Sequence, residues 1–292
     1  MRPPLVLTID GSDAAGAAGI QADIKTLTAL GVYAASSITQ VTASGPQGVA
    51  STHPLSAEVV RAQLAAVVEG LQIDAVKIGT LGSAAAAGAV AETVGTHRGR
   101  LGRIVLDPVM VDADGTALIS AEGARAVREQ LVPIADVVTP NMAEAAQLLG
   151  TSLATSIEEM REQGLALRAL GPEAVVITGG RLPAGDDAVD VVVHPGGTDL
   201  LRASRVPGRR VRGAGATFSA AIAAQLARIA EFARAGELGE IGDAGAEDDM
   251  VTIIATAREF VAGATEHGAN WEIARRPGGY QALNHLITLG MD

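Results

Sequence analysis

The sequence predicts an α/β fold in three layers, a central mostly parallel β-sheet with helices on both faces. Three observations carry this expectation. Short β-prone apolar runs alternate with segments whose apolar residues recur at helical spacing, the order produced when each strand returns to the sheet through a helix. Several runs, such as Ile104-Val105-Leu106 and Val175-Val176-Ile177, are continuously apolar, as in strands covered on both faces. Hydrophobic residues make up 48% of the 292 residues but aromatics only 2%, so Ala, Val, Leu and Ile fill the core and small residues let helices pack closely on a sheet.

In chain order, Leu5 to Ile9 reads as a strand that ends in the turn-rich Asp10-Gly11-Ser12-Asp13. Ile20, Ile24 and Leu27 then recur at helical spacing. Ser36 to Val41 is a strand, and Pro46 with its neighbouring glycines makes 42–48 a loop. Ser56 to Leu71 is an amphipathic helix, Ala75 to Gly79 a strand, and Ala84 to Val94 a small-residue helix. Arg103 to Leu106 is a buried strand closed by Asp107-Pro108, and Ala121 to Leu131 is a helix. Val137 to Thr139 leads through Pro140 into a helix start at Asn141. Ile157 to Leu170 is helical, Ala174 to Thr178 is a strand ending in Gly179-Gly180, and Asp190 to Val193 with Asp199 to Val206 form a hairpin. Arg234 to Asp249 is rich in Gly and acid with no apolar period and reads as a mobile surface loop. Val251 to Ala264 is a helix, and an irregular tail follows from about His267.

The net charge of −11 argues against sequence-independent nucleic-acid binding, which needs a basic surface. With no cysteine there is no disulfide, no thiolate metal cluster and no Cys nucleophile. No signal peptide and no apolar run of membrane-spanning length is visible, so the expectation is a cytoplasmic protein without a membrane partner.

The chemistry centres on Arg212-Gly213-Ala214-Gly215-Ala216, which opens the apolar run Ala220 to Leu226. A glycine turn at a helix N-terminus gathers free N–H groups and the positive end of the dipole, which suits a phosphoryl group in transfer. The same turn also fits a tight loop before a core helix. Asp107 ends a buried strand, a place where carboxylates meet metal–phosphate complexes, or where they cap a loop. Asn141 and Glu144 share a helix face; taken alone, they favour a capping box over a water-mediated magnesium site. Asp23 reads alone as a helix N-terminal charge before a ligand contact.

Five motifs in order then resemble the hydroxymethylpyrimidine and phosphomethylpyrimidine kinases of thiamine synthesis, within the ribokinase-like superfamily. They are Gly11-Ser12-Asp13 with Ala18-Gly19-Ile20-Gln21-Ala22-Asp23, Lys77-Ile78-Gly79, Asp107-Pro108-Val109-Met110, Thr139-Pro140-Asn141 with Glu144, and Gly179-Gly180. The resemblance covers about Leu5 to Ala264 and implies a single ribokinase-like domain over 1–292, often dimeric, that uses ATP and magnesium. It implies ATP over the loops at Asn141, Thr178, Gly180 and Gly215, and a pyrimidine near Gly11, Asp23, Ser44, Thr80 and Val109. Gly213, Ala214, Gly215 and Ala216 would form the anion hole, and Asp107 and Glu144 would stand near magnesium.

The departures lie in the same places. Ala216 stands where the family usually carries cysteine and the wider superfamily an aspartate as base. Thr178 replaces the usual lysine, Ser44 the pyrimidine-binding glutamine, Thr80 a pocket methionine and Ala17 a glycine. An alcohol acceptor has a proton to lose, and a missing base there costs a factor of roughly 10²–10⁴. A phosphate monoester, with a second pKa of about 6, is already largely deprotonated at neutral pH. The expectation is therefore a kinase favouring phosphomethylpyrimidine over hydroxymethylpyrimidine. The alternatives are a catalytically impaired pyrimidine- or nucleotide-binding protein, and a kinase for another small alcohol such as a pyridoxal-like vitamer, with Asp13 as a substitute base.

Overall fold

The protein is described by a computed structural model covering residues 2–111, 117–180, 182, 187–204, 211–235, 246–269, 271–273 and 280–289. Its frame is one nine-stranded sheet in the order β3-β2-β1-β4-β5-β6-β7-β8-β9. The strands are β1 (Leu5–Asp13), β2 (Tyr33–Gly45), β3 (Gly48–Pro54), β4 (Ala75–Ile78), β5 (Arg103–Leu106), β6 (Val137–Val138), β7 (Ala174–Ile177), β8 (Asp187–His194) and β9 (Gly197–Ser204). Pairing is parallel from β2 through β1, β4, β5 and β6 to β7, and antiparallel at the two flanks.

The helices are α1 (Gly19–Ala29), α2 (Ala57–Gly70), α3 (Ala84–Thr96), α4 (Ala121–Ala126), α5 (Met142–Leu149), α6 (Ile157–Arg168), α7 (Ala214–Ala235) and α8 (Ala246–Gly268). They divide between the faces. Leu7, Ile9, Ile78 and Ile104 point into a core with α2 to α6, whereas Val6, Ala75, Val105 and Val176 meet α7 and α8 on the other side. Helix starts follow local chemistry: Ser56, Ser83, Ser120 and Ser156 each accept a hydrogen bond from a first-turn N–H, as N-caps do.

Four expectations change. β1 and β2 run on to residues 13 and 45, so part of the supposed loop at 42–48 is strand, and Gly48–Pro54 pairs back on β2 as an unexpected edge strand. The helix expected over 121–131 is α-helical only to Ala126, continues as a π-helical turn to Leu131 and closes in a 3₁₀ turn at Val132–Ile134. Pro133 has no N–H to carry the α pattern further. The expected loop at 234–249 is helical at both ends, where α7 reaches Ala235 and α8 starts at Ala246; residues 236–245 lie outside the described residues. In the tail, His285–Leu289 forms a 3₁₀ turn, and residues 274–279 lie outside the described residues. No helix among the described residues is long and apolar enough to cross a membrane.

Candidate active site at the carboxyl ends of the strands

The parallel strands open at their carboxyl ends into a cleft of about 880 Å³, the usual place for a ligand in an open α/β sheet. One wall is the start of α7. Gly213 to Ala216 line the cleft, and Ala214, Gly215 and Ala216 are the first three residues of the helix, whose N–H groups have no partner within the helix. Gly213 is at φ +87°, and a Cβ there would lie 1.8 Å from the Ala17 carbonyl oxygen, so only glycine lets the turn seat against the 14–18 loop.

Asp107, at the end of β5, lies next to that helix start. Its Oδ2 accepts a hydrogen bond from Ser219 on α7 at 3.0 Å. Glu144 enters from α5 and is held by its own capping box. Asn141 Oδ1 accepts from the N–H groups of Ala143 and Glu144 at 2.9 and 3.1 Å, and the Asn141 N–H donates to Glu144 Oε2 at 2.9 Å. Cap and cleft wall are thus the same residues. Both carboxylates are buried. Burial pushes Glu144 up to about 8, with the Asp107 charge adding to it, and pushes Asp107 up to about 6 against the pull of Lys77. Among the described residues no three His, Cys, Asp or Glu side chains gather to hold a metal alone. Two hard, mutually repelling oxygen donors beside the free N–H groups of a helix start nevertheless fit magnesium, which commonly takes one or two carboxylates plus phosphate oxygens.

A charge cluster lies under the opposite wall. Lys77, Asp10 and Asp23 have almost no exposure. Lys77 Nζ is 2.9 and 3.0 Å from the two Asp23 oxygens and also donates to Asp10 Oδ2, while Thr8 donates to Asp23. The two carboxylates raise the Lys77 pKa despite its burial, and burial pushes Asp23 up to about 7. The remaining Asp10 oxygen accepts from the N–H groups of Gly11 and Thr80 at 2.6 and 2.9 Å. One carboxylate therefore ties the loop after β4 to the end of β1.

The structure brings Gly11, Thr80 and Val109 to the cleft on this side, and Asn141, Thr178 and Gly180 on the other. Two expected pyrimidine contacts lie off the cleft lining. Asp23 does not line the cleft, because it is fully buried against Lys77. Ser44 does not line it either; its hydroxyl is turned onto Asp13. Asp13 does reach the cleft, yet Oδ2 takes the Ala17 and Ala18 N–H groups at 2.9 and 2.8 Å and Oδ1 faces Ser44 and, at 3.6 Å, Arg212. Arg212 and Gln40 are cleft residues to which the sequence alone assigns no role. The signal for Gln40 is a long polar side chain in the middle of a strand; Arg212 is visible only as the residue before the glycine turn.

The sheet order, the cleft and the helix start facing two carboxylates define the class: a ribokinase-like small-molecule kinase fold. Within that class the chain belongs to the phosphomethylpyrimidine kinase family, which matches residues 13–240. It is 45% identical to the hydroxymethylpyrimidine/phosphomethylpyrimidine kinase of Rhizobium meliloti over 224 residues, 76% of this chain and 82% of that one. Among solved structures, a pyridoxal kinase of Bacillus subtilis in an ADP complex superposes with a TM-score of 0.80 at 33% identity, covering 96% of this chain and 98% of that one. A phosphomethylpyrimidine kinase from Clostridium difficile gives 0.71 at 30% identity, covering 88% and 97%.

Proposed function

We propose that the chain transfers the γ-phosphoryl group of ATP to a hydroxymethylpyrimidine-type substrate in thiamine biosynthesis, and that its preferred acceptor is phosphomethylpyrimidine. An acceptor phosphate oxygen attacks the γ-phosphorus, the bond to the bridging oxygen breaks, and ADP leaves with that oxygen. The observation that carries the preference is Ala216 in the first turn of α7, where a methyl group faces the cleft. The first-turn N–H groups at 214–216 stabilise charge that develops on the transferred group. Asn141, Thr178 and Gly180 lie along the ATP side, and Gly11, Thr80 and Val109 along the pyrimidine side. Asp107 and Glu144 would hold magnesium, which supplies charge neutralisation between phosphoryl oxygens. Oxygen binding by a cation also relieves their mutual repulsion. Homodimer assembly and a cytoplasmic setting belong to the same reading.

The test is ADP release from ATP and magnesium with hydroxymethylpyrimidine and, separately, with its monophosphate. Turnover with the monophosphate that exceeds the alcohol reaction by about the worth of a general base, roughly 10²-fold or more, is expected. Clean turnover of the alcohol with none of the monophosphate overturns the preference. A pyridoxal-type alcohol is the second acceptor to assay, because the pyridoxal kinase of Bacillus subtilis superposes over nearly the whole chain.

A further inference from the structure

Asp190 is the acidic residue in an otherwise apolar run of β8, Ala188 to Val193, and is 3% exposed. A carboxylate taken out of water is costly unless it is paired. Here Oδ1 accepts from the Gly179 N–H at 2.9 Å, and Oδ2 accepts from Arg258 Nε on α8 at 2.6 Å. Both partners belong to one side of the cleft. Gly179 lies between Thr178 and Gly180, which line it. It is seated so closely on β8 that a Cβ there would stand 2.0 Å from the Val189 carbonyl oxygen. Arg258 lines the cleft with Val261, Ala262 and Thr265, which recur at helical spacing and so form one stripe of α8. Among the described residues only Nε of its guanidinium makes a hydrogen bond, which leaves the donors on the two terminal nitrogens for a ligand.

We infer that Asp190 is a positioning residue for the nucleotide: it sets the Gly179 peptide between two cleft residues and aims the Arg258 guanidinium at the bound nucleotide. The inference rests on the reading that ATP lies along Asn141, Thr178 and Gly180. Thr178 carries no charge, and Arg258 puts one on that side of the cleft. Desolvation offsets most of the attraction within a buried ion pair, so the pair serves geometry more than stability. One carboxylate holds a backbone amide and a side chain that come from a loop and a helix 79 residues apart in sequence.

The test is calorimetric binding of ADP with magnesium and, separately, of phosphomethylpyrimidine to the full chain. The variants are Asp190→Asn and the double variant Asp190→Leu with Arg258→Met, which leaves no buried charge unpaired; melting curves report folding. Both variants are expected to weaken ADP binding by about 10-fold or more and to leave pyrimidine binding within about 2-fold. Unchanged ADP affinity in either folded variant overturns the inference and leaves the nucleotide reading standing. Equal losses for both ligands show a general structural role and overturn it too, as does a double variant that does not fold. If wild type binds the pyrimidine but no ADP, the nucleotide reading falls and this inference with it.

Discussion

The two walls of the cleft are built from different material. The α7 wall presents backbone: the N–H groups of Ala214, Gly215 and Ala216 on a glycine turn locked against Ala17. The opposite wall presents side chains, among them Gln40, Thr80 and Val109, above the buried Lys77–Asp10–Asp23 cluster. Backbone donors do not depend on which side chain they carry, so the α7 wall keeps its geometry whichever side chain stands at position 216. The other wall changes its chemistry with each substitution. The difference separates what a phosphoryl group needs, which is position and charge, from what a particular acceptor needs, which is a matched set of polar groups.

The largest expected effect comes from breaking the backbone wall itself. Gly213→Val places a branched side chain at φ +87° and against the Ala17 carbonyl; turnover should fall by ~10³-fold, and near-normal kcat would refute the idea that the turn's close seating matters. Next, Ala216→Asp adds a side-chain base to the same wall. Hydroxymethylpyrimidine turnover should rise by ~10-fold or more while monophosphate turnover falls or stays level; an equal rise for both acceptors would count against the proposed division.

A smaller effect concerns pH. His285 in the C-terminal segment is 3.0 Å from Thr217 in the α7 wall, and burial pulls its pKa down to about 4 from the usual 6.5, with the Lys25 charge adding to the shift. A depressed histidine contributes stability that is present above pH 6.5 and is lost as pH falls toward 4. The loss amounts to roughly 3 kcal/mol at most. Melting curves from pH 7 to 4 should therefore drop more steeply for wild type than for His285→Asn, whose position does not titrate; parallel curves would show that the histidine is not held neutral. The smallest effect is expected at Ser44→Ala. Its hydroxyl donates to Asp13 and is absent from the cleft lining, so stability should change by about 1 kcal/mol and the KM for the pyrimidine by less than about 2-fold, measured by steady-state kinetics. A large rise in KM would return Ser44 to the pocket.

The legible parts of the molecule are those whose cause is local. A glycine turn before an apolar helix, the Asn141–Glu144 cap and the apolar runs of β5 and β7 each need only a few adjacent residues, and all are readable in the sequence. The edge strand Gly48–Pro54 is not, because it buries no residue fully and so shows no apolar alternation. Asp23 reads as a helix charge or a pyrimidine contact because its partner Lys77 is 54 residues away. Gln40 stays hidden for a similar reason: the glycines it lies against, Gly11 and Gly82, come from β1 and from the loop after β4. The resemblance supplies the cleft as a whole, but it carries Ser44 into the pocket by position alone, where the fold gives that hydroxyl to Asp13.

The Asp10 carboxylate, which takes the Gly11 and Thr80 N–H groups while its other oxygen meets Lys77, acts as a clasp closed during folding. Ordering a loop costs conformational entropy at whatever moment it occurs. Here that moment precedes the ligand, so the acceptor side is preorganised and loses little freedom when a small ring enters. A compact acceptor has few atoms with which to offset an ordering cost, and the clasp has met that cost at the loop after β4 before the acceptor arrives.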